Sequence, residues 1–202
     1  MHTYVIGVLA LQGAFAKHME ILRTLPVTPK EVRTPQDLLE CDALIIPGGE
    51  STTISKQIRY IHLEEAIRLF AEKKPLFGTC AGLILMGLPT GNPEIISLEL
   101  LDITVERNAY GRQIESFEKP VELFLDKPPV QTFPAVFIRA PRIKSCGKKV
   151  EVLSSFNQEP ILIKQGHHLG ATFHPELTGQ STIHRYFLKL IKEANAKKGE
   201  KA

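Results

Sequence analysis

Little in this 202-residue sequence ties it to a membrane, a nucleic acid or an oxidising compartment. No apolar run approaches the roughly 20 residues of a membrane span. The start, Met1-His2-Thr3-Tyr4, lacks the basic and apolar regions of a signal peptide. Cysteine is scarce. Cys41, Cys80 and Cys146 form an odd set without metal-ligand spacing, which fits a reducing compartment better than a disulfide framework. The expected location is the cytoplasm. Charge of one sign is scarce as well: the net charge of +3 is too small to point to nucleic acid, and Lys197, Lys198 and Lys201 contribute to it. That stretch, about 196–202, reads as a solvated, frayed helix end. Nothing calls for a metal or a bound cofactor, and neither an internal repeat nor a linker is visible. With 43% hydrophobic and 23% charged residues, the chain is expected to form one folded domain over 1–202.

What is present is an alternation of buried strands and amphipathic helices. Residues 4–10 form a continuous apolar run rich in β-branched side chains, the pattern of a central strand covered on both faces. After Leu11-Gln12-Gly13, the spacing of Phe15, Met19, Leu22 and Leu25 predicts a helix ended by Pro26. A weaker, edge-ward strand over 27–34, a helical turn over 35–39 and a buried strand over 43–46 follow. Helical patterns then occupy 54–60 and 63–71, and an apolar run from Pro75 ends at Gly78-Thr79-Cys80-Ala81-Gly82. This order predicts an α/β fold with a doubly wound, mostly parallel, flavodoxin-like sheet, whose ligands sit beyond the carboxyl ends of the strands. The middle differs. Short strands at 103–106, 121–125, 135–138 and 150–153, parted by Pro, Gly and Asn, predict a small, mainly antiparallel addition. A hairpin over 160–165 and 169–173 and a closing helix over 179–194 complete the chain.

The chemistry begins at Cys80, which stands where serine stands in a nucleophile elbow, with glycines two residues to either side. A helix N-terminus favours negative charge and so suits a thiolate. Alone, the same pentapeptide also describes a small buried cysteine beside packing glycines. Downstream lies His174-Pro175-Glu176. In extended backbone i and i+2 project together, which a base and its orienting carboxylate require. The other histidines lack this arrangement, and His167-His168 reads as part of a hairpin turn. Cysteine plus His-x-Glu is the generalised triad, with Cys80 as nucleophile, His174 as base and Glu176 as orienter. The N–H of Ala81 and one from Gly49 would receive the oxyanion. Pro47-Gly48-Gly49-Glu50-Ser51-Thr52 fits that second donor, with Ser51 or Thr52 capping the next helix, although a plain strand-to-helix turn reads the same. It lacks the spaced glycines and lysine of a P-loop. Two arginine-bearing loops, 107–112 and 139–142, are candidates to face the cleft.

These motifs, in this order and spacing, resemble a class I glutamine amidotransferase domain of the Cys-His-Glu type. Leu11-Gln12-Gly13, the segment Glu-Arg-Asn-Ala-Tyr-Gly-Arg-Gln at 106–113, Ser116-Phe117-Glu118, Phe137-Ile138-Arg139-Ala140-Pro141 and Thr172-Phe173-His174-Pro175-Glu176-Leu177 further resemble the glutaminase subunits of pyridoxal 5′-phosphate synthase. The resemblance runs nearly end to end. It implies hydrolysis of L-glutamine to glutamate and ammonia through a γ-glutamyl thioester on Cys80. Ammonia would pass to a separate TIM-barrel synthase subunit that makes the vitamin B6 cofactor. By position it places glutamine against Gly49, Glu50, Ser51, Arg107, Ile138 and Arg139. It also implies weak activity without the partner, with the Gly48-Gly49 loop set by docking. Departures are small: Ala109 and Tyr110 where such chains often have Ser or Thr and Phe, and Phe15 and Lys17 in the first helix. Rival readings are the glutaminase of another amidotransferase, such as imidazole glycerol phosphate synthase, and a non-catalytic scaffold subunit on the same fold. A cysteine peptidase fits the triad but not the glutamine-type constellation.

Overall fold

In the computed structural model, which describes residues 3–107, 116–125 and 130–199, the alternation becomes layers around one sheet. The strands β1 (Tyr4–Leu9), β2 (Val27–Val32), β3 (Ala43–Ile46) and β4 (Leu76–Thr79) lie parallel in the order β2-β1-β3-β4. A fifth parallel strand, His168–Ala171, pairs with β4 although it arrives some 90 residues later. In chain order it is β11; β10 (Glu159–Gln165) pairs antiparallel with it, and β9 (Glu151–Phe156) pairs antiparallel with β10. β4, which carries the elbow, is therefore the middle of seven strands.

The doubly covered pattern follows from side-chain alternation. Ile6, Val8, Ala43, Ile45 and Phe77 point to one face, where they meet Met19 and Leu22 of α1 (Phe15–Leu22) and Ile183 and Phe187 of α6 (Thr182–Gly199). Leu9, Leu44, Ile46 and Leu76 point to the other. There they pack against α2 (Pro35–Leu39), α3 (Ser51–Tyr60), α4 (Leu63–Ala71) and α5 (Ala81–Met86). Periods of 2 and 3.6 thus agree on the same core, which is why these strands and helices appear where the sequence predicts them.

The small antiparallel parts are two separate ribbons. β5 (Ile103–Glu106) pairs with β8 (Arg142–Cys146), and β6 (Ser116–Leu123) with β7 (Gln131–Ile138). Two expectations change here. β8, polar and charged at Arg142, Lys144 and Ser145, has no apolar pattern to announce it. The strand expected at 150–153 joins the main sheet as its outer edge rather than the addition. Ribbon β6/β7 places Pro120 opposite Pro134, tolerable because two-stranded ribbons leave one side of each strand unpaired. It is fastened to the sheet by aromatics. Phe117 stacks on Phe137 at 4.7 Å, and Phe137 and Phe133 lie 5.7 and 6.0 Å from Phe173, just ahead of His174. α6 starts at Thr182, three residues later than expected, and runs to Gly199, so only the last three residues of the basic tail fall outside the description. No described helix is long and apolar enough to cross a membrane.

Candidate active site

The loops after β1, β3, β4 and β11 converge on one cleft of about 320 Å³, joined by Arg107 after β5 and by Ile138 and Arg139 at the end of β7. At the end of β4, Cys80 has φ 49° and ψ −103°, a region that L residues rarely occupy and that costs about 1–3 kcal/mol. Its N–H is held by the carbonyl of Ala171 at 2.8 Å, and its thiol lies 4.0 Å from the Ile138 carbonyl oxygen. Cys80 itself takes the strained turn; the flanking glycines serve close approach instead. A Cβ on Gly82 would stand 2.0 Å from the Ile46 carbonyl oxygen, and one on Gly78 would meet the Gly82 backbone at 2.6 Å.

His174 follows β11, and its N–H bonds the Val136 carbonyl of β7 at 2.8 Å, so ribbon β6/β7 fixes where the ring enters. The His174 Nδ1 to Glu176 Oε1 distance is 2.7 Å. The expected pairing is present, but the backbone reason for it differs. Residues Pro175–Leu177 form a 3₁₀ turn, with His174 at its N-cap, so a tight turn rather than an extended link brings Glu176 beneath the ring. Burial pushes the imidazole down. Hydrogen bonds to Cys80 and Glu176 and the negative charge of both outweigh it and raise His174 to about 10. Burial pushes Glu176 up, but His18 and His174 beside it hold its carboxyl below the usual range.

The loop after β3 is tied to the loop after β1. Ala14 N–H donates to Gly48 O at 3.0 Å, Glu50 N–H donates to Gln12 Oε1 at 2.8 Å, and a Cβ on Gly13 would stand 1.9 Å from Gly48 O. Gly48 N–H donates to the Thr79 hydroxyl at 3.1 Å. The cap of α3 is Glu50, not Ser51 or Thr52: its carboxylate accepts from Thr52 N–H and Thr53 N–H. Those contacts, with the Thr52 hydroxyl foremost, pull Glu50 down to about 2. Arg107 Nη2 reaches Glu50 Oε1 at 3.3 Å.

Gly49, Glu50, Ser51, Cys80, Ala81, Arg107, Ile138, Arg139 and His174 all line the cleft, while Glu176 lies behind His174. Arg139 sits there with φ 42°, a left-handed backbone unusual for so bulky a residue. Arg142 does not line it; its guanidinium pairs with Glu159 at 2.8 Å. Residues 108–113, Arg112, Ala109 and Tyr110 among them, lie outside the described residues. His168 is not turn chemistry: it opens β11, is buried, and its Nδ1 accepts the Leu76 N–H at 3.2 Å. Sequence reasoning passed over His18, Thr79 and His184, which are buried behind Glu176. Their signal was available, since His18 and His184 fall within the apolar stripes of α1 and α6 at three residues from Phe15 and Phe187.

The family profile described as the SNO glutamine amidotransferase family matches residues 8–193. A pyridoxal 5′-phosphate synthase subunit PdxT of Thermosipho africanus is 46% identical over 93% of this chain and 99% of its own. The protein of the same name from Thermus thermophilus is 50% identical over 92% and 97%. A crystal structure described as a glutamine amidotransferase superposes with a TM-score of 0.84 at 46% identity, covering 93% of this chain and 98% of that one. A putative GMP synthase subunit from Thermoplasma acidophilum shares the fold alone, with a TM-score of 0.70 at 16% identity. Since the matched span includes every strand end that builds the cleft, the chain belongs to the SNO glutamine amidotransferase family.

Proposed function

We propose that this chain is the glutaminase subunit of a pyridoxal 5′-phosphate synthase, hydrolysing L-glutamine in the cleft at Cys80. The observation that carries the reading is the convergence of Cys80, His174 and Glu176 at the mouth of the central strands, in a chain whose relatives are named as subunits of that synthase. The Cys80 thiolate attacks the carboxamide carbon of glutamine, forming a C–S bond and an oxyanion. As the C–N bond breaks, the His174 imidazolium gives its Nε2 proton to departing ammonia, leaving a γ-glutamyl thioester. The neutral ring then takes a proton from water, whose oxygen attacks the thioester; C–S cleavage releases glutamate and restores the thiolate. Glu176 holds the ring by its Nδ1–H throughout. The oxyanion is received by the N–H of Ala81 and that of Gly49, each such donor lowering the barrier by about 3 kcal/mol.

Arg107 and Arg139 offer guanidinium forks to the amino acid's α-carboxylate, and Glu50 offers negative charge to its α-ammonium; Gly49, Ser51 and Ile138 complete the binding wall. Ammonia passes to a TIM-barrel synthase subunit in a cytoplasmic complex. Docking of that subunit sets the Gly48-Gly49 peptide. Support comes from its pinning: with Gly48 O held by Ala14 N–H, the Gly49 N–H must point the opposite way across the planar peptide, and turning it breaks that bond. The test is glutamate release from L-glutamine by the chain alone, with the synthase subunit, and by Cys80→Ala. Release that rises with the partner and vanishes in the variant is expected. Full release without the partner sinks the docking step, and none under either condition sinks the glutaminase.

A further inference from the structure

Behind Glu176 the protein buries three polar side chains that this acyl-transfer scheme leaves without a task. His18 of α1, Thr79 of β4 and His184 of α6 are each 0% exposed. Apolar side chains would fill the space without the cost of dehydrating two imidazoles and a hydroxyl. What offsets that cost is visible in their contacts. His18 Nδ1 lies 2.9 Å from His184 Nε2, and His18 Nε2 lies 3.3 Å from both Thr79 Oγ1 and Glu176 Oε2.

Burial pushes both imidazoles below their ordinary range, so each ring is neutral and carries one N–H. Only two proton arrangements then preserve the bond between the rings. If His18 carries its proton on Nδ1, its bare Nε2 lone pair faces the Glu176 carboxylate at 3.3 Å, and His184 buries an Nδ1–H that has no partner among the described residues. If His184 carries its proton on Nε2, it donates to His18 Nδ1, and His18 Nε2–H bonds Thr79 Oγ1 while turning its positive end toward the Glu176 carboxylate 3.3 Å away. The bare Nδ1 of His184 and Glu176 Oε2 then remain acceptors without a hydrogen bond among the described residues, and no buried donor of the cluster is left over. The second arrangement removes a repulsion and an orphaned donor, each costly in a dry interior.

Glu176 Oε1 is already engaged by His174, and Oε2, which accepts no hydrogen bond among the described residues, has the positive end of this N–H 3.3 Å away. Thr79 Oγ1, which accepts that N–H, also accepts the Gly48 N–H. We infer that His18, held as its Nε2–H tautomer by His184, is a positioning residue of the glutaminase, fixing the carboxylate of Glu176 and, through the Thr79 hydroxyl, the Gly48 end of the oxyanion loop. One buried ring from α1 thereby aligns the orienter of the base with the loop opposite it, and α6 supplies the lock. The inference rests on the triad reading above. The groups facing Glu176 are His174 above it, His18 from α1 with His184 behind, and, on the outer side of α1, Lys17 and Glu20, which pair with each other at 2.8 Å.

The test reads tautomers and kinetics on the full chain. Long-range 1H–15N correlation of the wild-type protein between about pH 6 and 8 should show Nε2–H on both His18 and His184; Nδ1–H on His18 overturns the inference. In the presence of the synthase subunit, His18→Leu should lower kcat by about tenfold or more while KM for glutamine stays within about twofold. It should also move the acid limb of kcat to higher pH, because Glu176 loses the N–H dipole that faces its charged form. His18→Gln, which retains an N–H donor, should restore that limb. A folded His18→Leu with unchanged kcat and unchanged acid limb overturns the inference. Should His18→Leu not fold, the wild-type tautomers still decide. A wild-type chain that releases no glutamate with its partner defeats the triad reading instead, and leaves the tautomer result standing by itself.

Discussion

Replacing Gly48 by alanine tests how tightly the loop after β3 and the base are fitted together. Gly48 has no left-handed backbone to lose, so the perturbation is the added methyl group alone. That carbon would stand 2.3 Å from His174 Cε1, 3.0 Å from Nδ1 and 3.2 Å from Cys80 Cβ. Ordinary contact begins near 3.4 Å, so the ring must give by about 1 Å, or the loop must. Neither is free. The ring is held by Glu176 at 2.7 Å and the loop by Ala14 N–H and Thr79 Oγ1 at 3.0 and 3.1 Å. A displacement of about 1 Å at a reacting group costs about 10²-fold in rate, or about 2.7 kcal/mol of barrier. Overpacking the folded state costs a further 1–3 kcal/mol or so, a fall of several degrees in Tm for a chain of this size. Glutamate release with the synthase subunit, followed as kcat and KM separately, is the assay. The expected result is a kcat about two orders of magnitude lower in a protein that melts cooperatively, with KM affected less because the atoms the added methyl meets first belong to His174 and Cys80. A Gly48→Ala protein with wild-type kcat refutes the fit between loop and base.

At the elbow, Cys80→Ala and Cys80→Gly should both abolish glutamate release, yet differ in stability. Glycine occupies φ 49°, ψ −103° with little strain while alanine keeps it, so denaturant unfolding should find the glycine variant more stable by about 1 kcal/mol or more; equal stabilities overturn the strain argument. His168 carries an acid-sensitive stability term. Burial, aided by His167, lowers it to about 3, so the unfolded chain takes up a proton that the folded one refuses as pH falls from 6.5 toward 3. That group alone should cost about 2 kcal/mol at pH 5, with His18 and His184, also buried and lowered, adding in the same direction. His168→Asn, which keeps an acceptor for the Leu76 N–H but cannot titrate, should shift acid unfolding to lower pH, and an unchanged acid midpoint would exclude His168 as its source.

The parts of the fold legible in the sequence are those where local pattern and burial coincide. β1 and β3 are apolar on both faces because both faces are covered, and α4 appears at Leu63–Ala71 because its stripe is unbroken. β8 escapes that logic. Among the described strands it pairs only with β5, it leaves Lys144 and Ser145 in solvent, and so it carries no periodicity to read. The parallel strand β11 was visible as a strand but not as the neighbour of β4, because a partner some 90 residues away leaves no local trace.

The candidate site divides in the same way. Cys80 and the His174-Glu176 pair announce themselves because backbone geometry confines each to a few consecutive residues. Even there the reason read from the sequence was incomplete: the glycines at 78 and 82 let β4, α5 and β3 approach, while Cys80 bears the strained angle, and a 3₁₀ turn rather than an extended strand joins His174 to Glu176. What supports them comes from elsewhere. Val136 anchors His174 from a ribbon, Gln12 and Ala14 anchor the Gly48-Gly49 loop from β1, and His18 and His184 reach Glu176 from α1 and α6. Within its own helix each of those histidines sits in an apolar stripe, where a polar ring requires a buried partner. The stripe therefore tells that a partner exists; only the packing of α1 and α6 on one face of the sheet tells that for His18 the partners are His184, Thr79 and the carboxylate that orients His174.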